Sequence, residues 1–238
     1  MDKKAEYIIG IDEVGRGPIA GPVAVGAFLI KPDACQEFIN YAKKELKLPI
    51  RDSKKLTKIQ REKWFKFLSE KKKIGECDFA VTMVSAEWID KVGIVRAIQK
   101  ALNTSLNKIS NLENKNSSRF TPEGPYATQN SYSPDLPYAT KNSHHLAPFF
   151  SVFLDGGLKA PEEYTNQETI IKGDELHPVI SFASIVAKVS RDRVMELHAV
   201  EYPEYSFDAN AGYGTKAHYA AIRKHGMTVL HRKTFIHI

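Results

Sequence analysis

With 238 residues, 42% of them hydrophobic and 26% charged, the chain carries enough apolar side chain to bury a substantial core, which excludes a wholly disordered protein. No stretch approaches the ~18 uncharged apolar residues of a membrane span, and the start, Met1-Asp2-Lys3-Lys4-Ala5-Glu6, has no signal-like apolar region. The formal net charge of +6 is uneven: residues 42–73 hold thirteen Lys/Arg against four acids, and residues 209–238 hold five Lys/Arg and no acid. Two such blocks suit either a polyanion such as nucleic acid or a solvated helix face. Cys35 and Cys77 fall in no metal-ligand spacing and cannot build a disulfide scaffold, so a reduced, cytoplasmic protein is expected.

Taken in chain order, Tyr7–Ile11 is a β-branched apolar run that stops at Asp12-Glu13 and predicts a buried strand. A glycine-rich loop, Gly15 to Pro22, leads into a second strand, Val23–Ile30, close enough for antiparallel pairing. Helical spacing follows over Asp33–Leu48. Thr57 is placed to cap a basic helix over Lys58–Lys72, with Trp64, Phe65 and Leu68 inward. Asp78–Ser85 alternates as a third strand, and Ser85–Asn107 predicts one helix. Phe149–Leu154 is another apolar run closing on Asp155, and Thr169–Ile171 another closing at Lys172-Gly173-Asp174. Val179–His198 is periodic as a long helix, and a last helix is expected over Thr215–Lys224. The alternation of strands and helices predicts an α/β fold with a mixed sheet, in a single domain spanning 1–238.

Residues 111–148 break the pattern. They are rich in Asn, Ser, Thr and Pro and hold a near-repeat, Pro125-Tyr126-Ala127-Thr128 and Pro137-Tyr138-Ala139-Thr140. Present only twice, the copies make no solenoid, and a flexible insertion is the expectation.

An acid at one strand end is ordinarily a turn former or helix cap. Three apolar runs ending on acids (Asp12 with Glu13, Asp155, Asp174) suggest more, because the carboxyl ends of neighbouring strands converge on one edge of an α/β sheet. Carboxylates crowded there call for a hard divalent cation, Mg²⁺ or Mn²⁺. Beside basic surface, that points to phosphodiester chemistry by paired metal ions, which needs no nucleophilic side chain. The chain has no nucleophile elbow and no Walker loop, since Gly15-Arg16-Gly17 lacks that spacing.

The run from Ile11 to Val23 (Ile11-Asp12-Glu13-Val14-Gly15-Arg16-Gly17-Pro18-Ile19-Ala20-Gly21-Pro22-Val23) resembles the opening signature of ribonuclease HII. The resemblance continues through Asp52-Ser53-Lys54-Lys55-Leu56, Leu154-Asp155-Gly156 and Lys172-Gly173-Asp174. It ends with Ala183–Arg193, Gly212-Tyr213-Gly214-Thr215-Lys216-Ala217-His218 and His231-Arg232-Lys233-Thr234-Phe235, in family order over nearly the whole chain. It implies a ribonuclease H-like five-stranded mixed sheet flanked by helices, with a C-terminal helical segment. It implies cleavage of the RNA strand of RNA–DNA hybrids, nicking 5′ to single ribonucleotides in duplex DNA, and products with 3′-hydroxyl and 5′-phosphate ends. Asp12, Glu13, Asp155 and Asp174 match the family's metal-binding carboxylates. Gly15, Arg16 and Gly17 match the loop that senses the ribose 2′-hydroxyl, and Tyr213 the tyrosine that packs on the following sugar. Ser53 and Lys55 lie in a block associated with substrate phosphates. The implied cofactor is Mg²⁺ or Mn²⁺, the implied partner is nucleic acid and no membrane, and a monomer is expected.

Two features of the residues stand beside that resemblance. Lys172 and Lys188 are placed to offset carboxylate repulsion, with at least one of them expected to be structural, and Asp192, between Arg191 and Arg193, is expected to be an ion-pair partner. The insertion at 111–148, the long Asp33–Leu48 segment and the Asp174-Glu175-Leu176-His177 context depart from the family pattern, and with Tyr7 already in the first strand, the extra N-terminal domain of the HIII type is not expected.

Overall fold

The computed structural model describes residues 5–50, 52–110 and 149–237. The repeat-bearing segment 111–148 lies outside them.

Five strands form one sheet in the order β3-β2-β1-β4-β5. Strand β1 (Tyr7–Val14) pairs antiparallel with β2 (Val23–Ile30), and β2 antiparallel with β3 (Asp78–Val84). On its other side β1 pairs parallel with β4 (Phe150–Asp155), which pairs parallel with β5 (Gln167–Ile170). The first strand therefore runs past Ile11 and carries Asp12 and Glu13 inside it, where the sequence predicts its end. Antiparallel pairing with β2 continues there (Asp12 opposite Gly26, Glu13 opposite Val25), so polar side chains do not stop the strand.

The pleat divides the core in two. Ile9, Ile11, Val25, Ala27, Val152 and Leu154 face α4 (Ile94–Ser110), whose Ile98, Leu102 and Leu106 are buried against them. Phe28, Ile30 and Phe153 face the other way, toward α1 (Pro32–Leu46), α2 (Lys58–Lys73) and the long α6 (Pro178–Glu201). Thr57 caps α2 as expected, and the structure adds a capping box shared with Gln60. The helix buries Phe67 beside Trp64 and Leu68, while Phe65 is half-buried.

The single helix expected over Ser85–Asn107 is two, α3 (Ala86–Val92) and α4. Gly93 separates them at φ +83°, a left-handed conformation that ends α3 through its N–H to the Ile89 carbonyl and lets the chain turn. A third cluster, Ile19, Ala20, Met195, Tyr205, Phe207 and Ile222, joins the β1–β2 loop to α7 (Phe207–Asn210) and α8 (Lys216–His225). Among the described residues, no helix is long and apolar enough to cross a membrane.

Candidate active site

Strands β1 and β4 run parallel with Ile11 opposite Leu154, so the next step brings Asp12 opposite Asp155 on the same face of the sheet. Glu13 has the opposite pleat, yet one of its carboxylate oxygens lies within 4.8 Å of a carboxylate oxygen from each of Asp12 and Asp155. These three form a metal-sized cluster at the carboxyl edge of the parallel strands.

Asp174 arrives differently from the sequence reading. It sits not at the end of β5 but in a one-turn helix, α5 (Gly173–Leu176), entered through Lys172 in a left-handed conformation. Its N–H donates to Asp155 Oδ1 at 3.4 Å, its carboxylate lies 3.9 Å from Lys54 Nζ, and it stands outside the grouping of the other three.

Burial pushes the Asp12 carboxyl well above the usual carboxylate range. The Ser184 hydroxyl, bonded to it, opposes that rise, and the charges of Glu13, Asp155 and Asp174 add to it. Burial and Asp155 raise Glu13, while Arg16, whose Nη1 is 3.6 Å from Glu13 Oε1, pulls it back. Asp174 rises from 3.8 to about 6, through burial, then through Asp155 and Asp52. Four acids held at one edge against their own repulsion form an all-oxygen donor set suited to a hard divalent cation.

The other predicted residues take distinct places. Arg16 and Gly17 are exposed and Gly15 is buried. Tyr213, 48% exposed, stands beside this loop, such that a Cβ on Gly17 would lie 3.9 Å from its ring. Ser53 is buried, with its Oγ 2.8 Å from Ser184 Oγ, and Ser184 bonds Asp12. Ser53 thus meets the site from behind. Lys55 Nζ pairs with Glu175 Oε2 at 2.5 Å, while Lys54, one residue earlier, is the lysine that reaches the carboxylates. Asp52 orders that turn by accepting from the Lys54 N–H at 2.8 Å.

Neither Lys172 nor Lys188 makes the expected contact with the acids. Lys188 Nζ is 2.7 Å from Asp192 Oδ1, and Arg61 Nη2 is 3.4 Å from Asp192 Oδ2. Asp192 is an ion-pair partner as expected, to Lys188 one turn back in α6 and to Arg61 of α2, and not to its chain neighbours. Arg193 pairs with Glu62, and Arg191 turns inward to backbone carbonyls. Sequence reasoning passed over Ser184, Arg191, Arg232, His218 and His231, all buried. Their only signal was their place inside the quoted motif blocks.

His218 and His231 form a directed polar chain. The Thr228 N–H must donate to His231 Nδ1 (2.9 Å), so His231 Nε2 carries the proton toward His218 Nε2 (3.1 Å) and His218 Nδ1 donates to the Tyr213 carbonyl (2.8 Å). Both rings are neutral in this arrangement, and it holds the backbone of Tyr213.

The family model for ribonuclease HII matches residues 9–132 and 150–238. The chain is 34% identical over 236 residues to a ribonuclease HII of Fusobacterium nucleatum subsp. nucleatum, covering 99% of this chain and 88% of that one. It is 33% identical over 233 residues to one of Prochlorococcus marinus, covering 98% and 97%. The fold is similar to the crystal structure of the ribonuclease H2 from Pyrococcus horikoshii OT3, with a TM-score of 0.62, 22% identity and coverage of 96% and 93%.

Proposed function

The chain belongs to the ribonuclease HII family and is a divalent-metal-dependent endoribonuclease acting on RNA–DNA hybrids, and from that premise we propose that it also nicks duplex DNA 5′ to single embedded ribonucleotides. One observation carries the finer reading. Asp12 and Glu13 of the carboxylate cluster lie in the same strand–loop unit as the exposed Arg16 and Gly17, Asp155 joins them from the neighbouring strand β4, and Tyr213 stands alongside the loop.

Asp12, Glu13, Asp155 and Asp174 would hold two Mg²⁺ or Mn²⁺ ions, which when bound supply an activated water and neutralise the leaving oxygen. The protein's own groups do the rest. Ser184 holds the Asp12 carboxylate in one orientation and, through Ser53, anchors it to the turn carrying Lys54. Lys54, with its side chain largely exposed beside Asp174, would meet a substrate phosphate as a point charge. The backbone amides of Gly15, Arg16 and Gly17 would read the 2′-hydroxyl, the group that distinguishes RNA from DNA at one position. Tyr213 would pack on the next sugar and so fix the junction.

The test is incubation with duplex DNA carrying one ribonucleotide, in Mg²⁺, Mn²⁺ or EDTA, with the cut mapped. A metal-dependent nick immediately 5′ to the ribonucleotide is expected. Cleavage confined to long hybrids would overturn the junction reading, and binding without cleavage on any substrate would overturn the assignment of the carboxylates. Arg16→Ala and Tyr213→Ala should weaken the junction nick more than cleavage of a long hybrid. An equal loss on both would remove their sensing role.

A further inference from the structure

Two arginines, Arg191 and Arg232, are fully buried, and every nitrogen of both guanidiniums donates to a backbone carbonyl. Arg232 reaches Gly21 (Nε, 3.0 Å), Arg16 (Nη1, 3.0 Å) and Gly15 (Nη2, 2.7 Å). Arg191 reaches Pro22 (Nε, 2.8 Å), Ala211 (Nη1, 2.9 Å) and Ala20 (Nη2, 3.3 Å). Five of those six carbonyls belong to one loop, 15–22, and the sixth lies two residues before Tyr213.

Taking two guanidiniums out of water without a carboxylate to pair them is unfavourable, and a buried charge is weak evidence for stability as such. What a guanidinium does that a neutral donor or an ammonium does not is hold several acceptors in one rigid planar fork. Arg232 is itself seated, with its Cζ 5.3 Å from the centre of the Phe235 ring and its N–H donating to the Ile19 carbonyl at 2.8 Å. The Arg191 side chain lies so close behind Gly15, at φ +87°, that a Cβ there would collide with the guanidinium.

The consequence for the loop follows from peptide geometry. A trans peptide places C=O and the next N–H on opposite sides. Pointing the Gly15 and Arg16 carbonyls inward at Arg232 therefore turns the N–H groups of Arg16 and Gly17 outward, at the two loop residues that are exposed. The same scaffold ties down the neighbour, since Ile19 and Ala20 both donate to the Gly212 carbonyl (2.9 and 3.1 Å), immediately before Tyr213.

We propose that Arg232 and Arg191 are positioning residues for ribonucleotide recognition: their paired forks aim the Arg16 and Gly17 amides and set the loop's distance from Tyr213. This rests on the reading of Gly15-Arg16-Gly17 as the 2′-hydroxyl sensor. Neither arginine touches substrate; each acts through backbone held in place.

The test compares wild type, Arg232→Lys and Arg191→Lys, which keep the charge but lose the fork. Three quantities are read for each: kcat and KM on duplex DNA with one ribonucleotide, affinity for the same duplex entirely in DNA, and Tm. A misplaced recognition group of this kind costs at least about tenfold in kcat/KM, so a drop of that size with all-DNA affinity unchanged is expected. The double variant Arg16→Ala/Arg232→Lys should lose little more than the worse single variant, because both act on one loop. An unchanged kcat/KM, a loss that tracks all-DNA affinity or the folded fraction, or simple multiplication of the two single losses would each overturn the proposal. Failure of both lysine variants to fold would also overturn it, assigning the arginines to folding alone. A wild-type protein that does not nick the single-ribonucleotide duplex sinks the underlying reading of the loop, whatever the variants do.

Discussion

Ser53 and Ser184, 131 positions apart in the chain, meet through their hydroxyl oxygens at 2.8 Å, and Ser184 also hydrogen-bonds Asp12. This buried chain of three side chains links the 3₁₀ turn at Ser53–Lys55, helix α6 and the first strand. Ser184→Ala removes the side-chain hydrogen bond that lowers the Asp12 pKa, leaving the Glu13 N–H as donor to Asp12 Oδ1, and leaves the Ser53 hydroxyl without that partner. Loss of an outer support of this kind lowers metal affinity or activity about 10–100-fold. The rising limb of the pH–rate profile should also move to higher pH. A profile that keeps its position with Ser184→Ala would show that Ser184 does not tune Asp12.

Asp12→Asn keeps the shape of the side chain and removes the charge at the centre of the cluster. Turnover should be abolished, while affinity for an RNA–DNA hybrid is kept or rises, because phosphate meets one fewer carboxylate. A gel-shift titration beside a cleavage assay reads both; surviving cleavage would show that Asp12 is not a ligand of the reaction's metal.

Asp174 sets a pH dependence of stability in metal-free protein. Its pKa is raised from 3.8 to about 6 in the fold, so between those values the folded state binds the proton and the unfolded state does not. The contribution of Asp174 to stability is therefore present at low pH and is lost as pH rises through about 6. In EDTA at pH 7.5, Asp174→Asn should raise the Tm by about 2–4 °C, the effect of ~1 kcal/mol in a chain of this size, since solvent and Lys54 screen much of the repulsion. A lowered Tm in that variant would contradict the crowding of the site.

The histidine pair acts in the opposite direction. Burial, with the neighbouring His218, lowers His231 from 6.5 to about 4, so below pH 6.5 the unfolded chain takes up a proton that the fold refuses. Stability held above that pH is lost as pH falls from about 6.5 to about 4. His231→Gln, whose amide supplies both an acceptor for Thr228 and a donor for His218, should flatten that acid limb in a series of melts. Since Asp174 and His231 oppose one another over much of the same range, the single variants separate what the wild-type curve blends.

The strands, most of the helices and the identity of the acids are legible along the chain. Val23–Ile30 has no polar side chain because both its faces are covered, Phe150–Leu154 is apolar but for the half-buried Ser151, and Thr57 with Gln60 is a local capping pattern that needs no distant partner. Family motifs added Arg16, Gly17 and Tyr213, whose types alone carry no chemistry. Local spacing could not show the break at Gly93, because an apolar helical period continues across it and only the backbone angle ends the helix.

Tertiary structure decided which groups meet. The parallel register of β1 and β4 sets Asp12 beside Asp155, a one-turn helix brings Asp174 to them, and Ser184 and Ser53 close in from α6 and the turn before α2. Arg191 and Arg232 read along the chain as two more basic residues of a basic protein, and only folding turns them from solvent to the carbonyls of a loop more than 160 positions away. The physical reason is that composition and period report which side chains leave water, whereas a site is built from contacts at long sequence separation, and those are fixed by register, helix packing and the satisfaction of buried polar groups.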